Sequence, residues 1–343
     1  MIKEAITKIV SKENLSSQEA GEVMKEIMEG SASPAQIGSF LTCLRMKGET
    51  PEEIYGCARV MREKAETINC GHLQLVDTCG TGGDGSGTFN ISTTACFVAA
   101  GAGLFVAKHG NRSVSSKCGS ADVLEALGVK IDLSPMEVEY TFKQIGLGFL
   151  YAPVFHKAMK HAITPRKEIG IRSIFNILGP LTNPARAKFQ VVGVYDAGLT
   201  EIVAQALDKL GVENAYVVHG AGGLDEISVL GPTRVTHLHN GSIKTFNVFP
   251  EDFGFARRNL SDLRGEDAFY NAQIIRKVLA GESGPRREIV LLNAAAVIAA
   301  TGAAKDLKEG VRIAAEAIDT GRALQKLEDL IKISNDDLKM RII

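Results

Sequence analysis

Five glycines fall within the eight residues Gly80 to Gly87, inside a longer run from Asp77 to Thr94 of small polar residues. No helix or strand interior tolerates that density, because each glycine weakens it. A loop of bare backbone amides can close around an anion instead. The apolar Leu73, Leu75 and Val76 before it read as a strand, and Ser92-Thr93-Thr94-Ala95 after it read as a helix start. Strand, glycine loop and helix N-terminus aim amides and a helix dipole at one spot, which is how phosphate is bound. Asp84, Ser86, Thr88, Asn90, Ser92 and Thr93 add small groups for phosphate or ribose oxygens. The loop is not a Walker loop, since no Gly-Lys-Ser/Thr follows, and no acidic residue stands about twenty positions on for a dinucleotide ribose.

Three further segments could share that chemistry. Lys108-His109-Gly110-Asn111-Arg112-Ser113-Val114-Ser115-Ser116 follows the apolar run Leu104–Ala107. At the C-terminal end of a parallel strand it faces the same crevice, where Lys108 and Arg112 can neutralise a pyrophosphate. Ser120 is expected to cap the next helix. Gly222-Gly223-Leu224-Asp225-Glu226 follows the run Ala215–His219. Its adjacent carboxylates read either as a surface dipeptide or as ligands for a magnesium ion bridged to phosphate. Arg166 and Arg172 read either as carboxylate clamps or as surface arginines. His156 and His161 read as structural or surface residues.

The elements that must position these groups fall into two zones. Up to about residue 70 the chain reads as all-helical: Ser16-Ser17-Gln18-Glu19 is a capping box, Ser33-Pro34-Ala35-Gln36 opens a second helix and Thr50-Pro51-Glu52-Glu53 a third, with Gly30 and Gly48 as stops. From Leu73 short β-rich runs alternate with helices. The predicted strands are Leu104–Ala107, Val129–Ile131, Gly148–Tyr151, Phe189–Tyr195 and Ala215–His219. The helices between them cover Ala121–Leu127, a stretch opened by Ser134-Pro135-Met136-Glu137, and Thr200–Leu210. That alternation predicts βαβ units around a mostly parallel sheet. Asn240-Gly241 between Arg234–His239 and Ser242–Val248 predicts an appended antiparallel hairpin. From about Glu266 onward the chain reads as helices. The stretch 164–184, carrying Pro165, Pro180 and Pro184, interrupts the alternation and is expected to cross back to the helical region.

Composition excludes little else. With 39 basic and 40 acidic residues in 343, the net charge is −1, which gives no general attraction to nucleic acid or membrane. No uninterrupted apolar run approaches membrane-spanning length. The N-terminus lacks a signal-peptide core, and six scattered cysteines without a Cys-x-x-Cys pair suit a reducing cytoplasm.

Taken together, these segments resemble the anthranilate phosphoribosyltransferase family. The resemblance rests on Asp-x-x-Gly-Thr-Gly-Gly-Asp at 77–84, Asn-Ile-Ser-Thr at 90–93, Lys-His-Gly-Asn-Arg-x-x-Ser-Ser at 108–116 and Gly-Ser-Ala-Asp-x-Leu-Glu-x-Leu-Gly at 119–128. It extends through Arg-x-x-x-Gly-x-Arg-Ser-Ile-Phe-Asn-x-Leu-Gly-Pro-Leu-x-Asn-Pro at 166–184 and Gly-x-Asp-Glu at 223–226. It spans almost the whole chain. It implies a nucleoside phosphorylase/phosphoribosyltransferase-like fold: a small helical domain, 1–70 completed by part of 164–184, and a large α/β domain, 71–343, usually paired as a homodimer through the helical parts. It implies joining of anthranilate to 5-phospho-α-D-ribosyl diphosphate with release of pyrophosphate, in tryptophan biosynthesis.

By the same resemblance Gly80, Gly83, Asp84, Thr88, Asn90, Ile91, Ser92, Thr93, the segment Lys108, His109, Gly110, Asn111, Arg112, Ser113, Val114, Ser115 and Ser116, and Ser120 would hold the diphosphate sugar. Ser92, Asp225 and Glu226 would serve Mg²⁺. Gly80, Asn111 and Arg166 would contact anthranilate, with His109 close by. No residue is expected to act as nucleophile or indispensable general base: Mg²⁺, Lys108 and loop amides would support the leaving group. One departure is Lys157, within His156-Lys157-Ala158, where the family often has proline. Two rival readings are a pyrimidine nucleoside phosphorylase, whose glycine-rich lysine motif is absent here, and a nucleic-acid-binding relative, which would be expected to carry surplus basic charge.

Overall fold

The computed structural model describes residues 1–71, 73–113 and 117–336. Four helices open the chain: α1 (Ile2–Val10), α2 (Ser17–Met28), α3 (Pro34–Lys47) and α4 (Pro51–Lys64). The side chains of Ser16, Ser33 and Thr50 each accept a hydrogen bond from the third helical amide, while the side-chain oxygens of Glu19, Gln36 and Glu53 accept from the N–H groups of those caps. Local sequence alone therefore fixes these starts.

The α/β part runs β1 (Leu75–Gly80), α5 (Ile91–Gly101), β2 (Phe105–Gly110), α6 (Ser120–Ala126), α7 (Pro135–Ile145) and β3 (Leu147–Tyr151). The short α8 (Ala152–Phe155), then α9 (Lys160–Ile169) and α10 (Ile174–Leu181), leave the sheet, which resumes with β4 (Phe189–Gly193), α11 (Leu199–Lys209) and β5 (Asn214–Gly220). An antiparallel hairpin, β6 (Thr233–His239) and β7 (Ser242–Val248), turns at Asn240 and Gly241, both with positive φ. Helices α12 (Ala268–Leu279), α13 (Pro285–Ala300), α14 (Leu307–Asp319) and α15 (Arg322–Asn335) follow.

The seven strands order as β3-β2-β1-β4-β5-β6-β7, parallel from β3 to β5. The order reverses beside β1, so its C-terminal end is where a ligand crevice forms in such sheets. Two apolar layers cover the sheet. One joins α5, α13 and α15 to β1 and β2; the other joins α2–α4 and α10 to β4, α11 and β5. Helices α9 and α10 pack on α2, α3 and α4, so the proline-bearing stretch does return to the helical layer.

Two expectations need correction. Val129–Ile131 is not a strand. Val129 and Ile131 are buried, but the Lys130 N–H donates to Ser334 Oγ and Asn335 donates to the Gly128 carbonyl, so α15 satisfies this backbone instead of a neighbouring strand. Ser120 does not cap α6: Gly119 is the cap, and the Asp122 carboxylate takes the Gly119 and Ser113 amides.

Candidate functional site

The C-terminal ends of β1, β2 and β5 converge with the N-terminus of α5. Between β1 and α5 the loop turns through Gly82, Gly83, Gly85 and Gly87, all at positive φ. Any other residue would be strained there. Gly80 is glycine for a different reason: a Cβ on it would overlap Asp225 Oδ2. Asp225 Oδ2 accepts the Gly82 N–H at 2.8 Å, and Glu226 Oε1 accepts the Ser92 N–H at 3.1 Å. The acidic pair is thus built into the glycine loop and the start of α5, and the surface-dipeptide alternative is not what the fold shows.

Both carboxylates are half-buried, ringed by protein yet open to the crevice. Loss of hydration raises Asp225 to about 7, with Asp84 close by adding to the rise. Glu226 is raised too, first by desolvation and then by Asp225, while the Lys108 charge opposes it. Clustered carboxyls in such surroundings favour a cation. Among the described residues no three acidic, histidine or cysteine side chains form a cage for a metal. A hard cation with one or two protein carboxylates and the rest of its shell from phosphate and water is the usual magnesium arrangement. The donor set therefore fits Mg²⁺ together with a diphosphate.

The remaining loop residues divide between open and occupied. Among the described residues nothing pairs with the Gly83, Gly85 or Gly87 N–H groups. Asp84 accepts from Ser86 N–H at 3.0 Å and Ser86 Oγ at 2.8 Å, which shapes the loop tip, and Thr88 bridges to Arg264 on its far side. Ile91 and Thr93 are buried, so their side chains belong to the core. Asn90 is held by three hydrogen bonds from two neighbours: it donates to the Cys118 carbonyl and accepts from Asn271 and the Cys118 thiol.

The strand β2 runs on to Gly110, past the expected end at Ala107, so Lys108 lies on it beneath the crevice, 3 % exposed, with Nζ donating to the Thr78 carbonyl at 2.6 Å. Gly110 has no room for a Cβ beside Ser120 Oγ and Phe149. Ser120 Oγ donates to the Asn111 carbonyl at 3.3 Å, fixing the loop's turn. Asn111 and Arg112 are exposed, and Arg112 already pairs with Asp122 and Glu125 of α6. Ser113 is half-buried beside Asp122. Val114, Ser115 and Ser116 lie outside the described residues.

A separate cluster surrounds α10. His109 is buried, and its Nδ1 lies 3.1 Å from the Gly179 carbonyl near the end of α10, which also accepts from the Thr182 N–H and hydroxyl. Desolvation, then the neighbouring His156, lowers His109 to about 3; burial lowers His156 to about 4. The rings stand 5.2 Å apart, each with a buried Nε2 that has no described partner. Arg166 from α9 lies 5.0 Å over the Phe175 ring, one turn before Gly179, and no polar group among the described residues pairs with its guanidinium. A Cβ on Gly179 would meet nothing within 4 Å, so this face is open. Arg172 instead stacks on Tyr195, His161 packs against Gly30, and Lys157 turns outward to Glu66.

Sequence reasoning passed over Asp77 and Asn183. Both are fully buried beneath the crevice and hydrogen-bonded to each other. Each sits inside a motif already singled out, as the first residue of 77–84 and near the end of 166–184, and that was the available signal.

Comparison with known proteins agrees with this geometry. Residues 72–324 match the glycosyl transferase family a/b domain and residues 3–65 its helical bundle domain. An anthranilate phosphoribosyltransferase of Acetivibrio thermocellus is 56% identical over 335 residues, covering 98% of this chain and 97% of that protein. The crystal structure of the anthranilate phosphoribosyltransferase of Thermus thermophilus superposes with a TM-score of 0.91 at 43% identity, covering 96% of this chain and 99% of that one. The Saccharomyces cerevisiae enzyme in complex with PRPP and Mg superposes at 0.89 with 30% identity, covering 97% of each chain.

Proposed function

Because the chain belongs to the anthranilate phosphoribosyltransferase family, we propose how its residues divide the work of that reaction. The protein transfers the 5-phosphoribosyl group from 5-phospho-α-D-ribosyl diphosphate to anthranilate, giving N-(5-phosphoribosyl)anthranilate and pyrophosphate, a step of tryptophan biosynthesis. The observation that supports the division is the direct bonding of the glycine loop and α5 to Asp225 and Glu226.

On the phosphate side, the Gly83, Gly85 and Gly87 amides, Thr88, and the start of α5 at Asn90–Thr93 receive the diphosphate sugar, with Lys108–Ser116 and Ser120 closing the other wall. Asp225, Glu226 and Ser92 hold Mg²⁺. What the ion supplies when bound is positive charge against the departing pyrophosphate. Loss of pyrophosphate from C1 leaves positive charge on the ribose and negative charge on the leaving group. Lys108 keeps a buried cation beneath that point, and oriented amides stabilise the leaving oxygens without reorganising.

On the acceptor side, Arg166 pairs with the anthranilate carboxylate, with Asn111 and Gly80 bounding the ring. The anthranilate amine is already a nucleophile. His109 and His156, lowered to about 3 and about 4, are poor proton acceptors at neutral pH, so positioning rather than base catalysis carries the step. The small domain comprises 1–70 with α9 and α10, the large one the rest of 71–343. We place the protein in the cytoplasm, in keeping with its six free thiols, as a homodimer through the helical part, where Val10 and Met46 stand exposed on the adjoining α1 and α3.

Mixing the protein with the diphosphate sugar, Mg²⁺ and anthranilate should abolish anthranilate fluorescence. Persistent fluorescence, or phosphorolysis of thymidine or uridine in its place, overturns the reading.

A further inference from the structure

The sheet is split along one seam. β1 pairs with β4 from Val76 through Gly80, and β2 pairs with β3 from Val106 through Gly110, yet β1 and β2 pair with each other only at Leu75↔Phe105 and Val76↔Val106. The Val106 N–H points to β3, bonding the Gly146 carbonyl, so the odd-numbered amides of β2 face β1. Continuing that register, the next rung would join Thr78 N–H to the Ala107 carbonyl and His109 N–H to the Thr78 carbonyl.

None of those four groups is used that way. His109 N–H donates to Asp77 Oδ1 at 3.2 Å. The Ala107 carbonyl accepts from Asn183 Nδ2 at 2.8 Å, and the Thr78 carbonyl accepts from Lys108 Nζ at 2.6 Å. Asn183 Nδ2 donates also to Asp77 Oδ2 at 2.7 Å, and its Oδ1 accepts the Ala185 N–H at 2.8 Å. Asp77 and Asn183 have no exposed surface. Buried backbone groups must be paired, so a ladder opens without large cost only where side chains take over the freed donors and acceptors. Here they take over the His109 N–H and the Ala107 and Thr78 carbonyls, three of the rung's four groups.

We propose that Asp77 and Asn183 are positioning residues: a buried polar wedge that holds β1 and β2 apart and so sets the distance between the glycine loop and the chain at 111–113 that follows β2. The two loops leave the strands within three residues of the opened rung and would face each other across the diphosphate sugar. This inference rests on the proposed assignment of those loops. Asn183 lies two residues beyond α10, so the wedge also ties the acceptor-side helix to the floor of the phosphate side. Neither residue touches the reacting atoms.

The test is steady-state kinetics of Asp77→Ala and the milder Asn183→Ser, with thermal melting as a check on folding. With the wedge weakened, the rung can close and the loops no longer match the sugar diphosphate. The KM for that substrate should rise about tenfold or more in Asp77→Ala, with the anthranilate KM within about threefold, and Asn183→Ser should show a smaller shift in the same direction. If Asp77→Ala does not fold, Asn183→Ser decides alone. A lowered melting temperature with both KM values unchanged, or with both raised equally, overturns the wedge. Lack of turnover by the unmodified protein would instead overturn the proposed function.

Discussion

The proposed phosphate side and the proposed acceptor side of the crevice are made of different materials. The first is backbone: glycine amides, a helix start and two carboxylates bonded to them from beyond β5. The second is side chain, with Arg166 over Phe175 and two neutral imidazoles packed beside α10. A diphosphate presents many equivalent oxygens and is met by repeated amides and a cation. An aromatic carboxylate presents one charge and a flat ring, and one arginine in an apolar wall suffices. Damage to the first side should therefore reach the rate itself, and damage to the second mainly acceptor affinity.

The sharpest way to break this contrast is to neutralise the acidic pair. Asp225→Asn with Glu226→Gln keeps the shapes and removes both charges. It should lower kcat by about a thousandfold, roughly 4 kcal/mol of lost transition-state stabilisation. Unchanged turnover at limiting Mg²⁺ would remove the metal assignment and with it the backbone-plus-cation description.

A smaller effect is expected where the two sides touch. Gly80→Ala drives a methyl group into Asp225 Oδ2, which must swing away from the Gly82 amide. A loss of about a hundredfold in kcat/KM, about 2.7 kcal/mol, is expected, with a higher Mg²⁺ requirement. Wild-type kinetics in this variant would mean that the loop can shift as a body and that the contact is incidental.

The sequence reveals these two sides unequally, for physical reasons. Glycine clusters and capping boxes act over a few residues, so the phosphate loop and the helix starts at Ser16, Ser33, Thr50 and Ser134 were legible before any fold. The coupling of Asp77 to Asn183 spans 106 residues, and that of His109 to Gly179 spans 70, and nothing local marks either. Val129–Ile131 misled because β-branched apolar residues suit any buried extended segment. Whether such a segment becomes a strand depends on a partner, and here α15 supplied side chains instead. Ser120 looked like a cap because serine is a favoured one, yet the Asp122 carboxylate already served the adjacent glycine.

The imidazoles offer a test in stability rather than rate. Both are held below the ordinary histidine value, so the folded chain refuses protons that the unfolded chain accepts below about 6.5. Stability from this source is complete above that pH and is lost as pH falls toward the folded values. Between pH 7 and 5 each histidine should cost about 2 kcal/mol. Melting curves of wild type and His156→Gln should converge on acidification, while kcat of the wild type shows no histidine-like step between pH 6 and 8. A step near 6.5 in kcat would make an imidazole a proton carrier and blur the division between the sides.

The mildest predicted change falls on Arg166. Burial lowers its pKa, and no carboxylate among the described residues offsets that cost. A half-buried guanidinium over an aromatic ring, with no polar partner among the described residues, is a stability cost that the proposed acceptor role would explain. Arg166→Gln should therefore raise the anthranilate KM about tenfold, near 1.4 kcal/mol, while leaving the diphosphate-sugar KM unchanged and the melting temperature equal or higher. Equal rises in both KM values would show that α9 and α10 form the phosphate site as well. In that case the crevice would be one continuous surface, and the contrast between a backbone half and a side-chain half would describe composition without describing function.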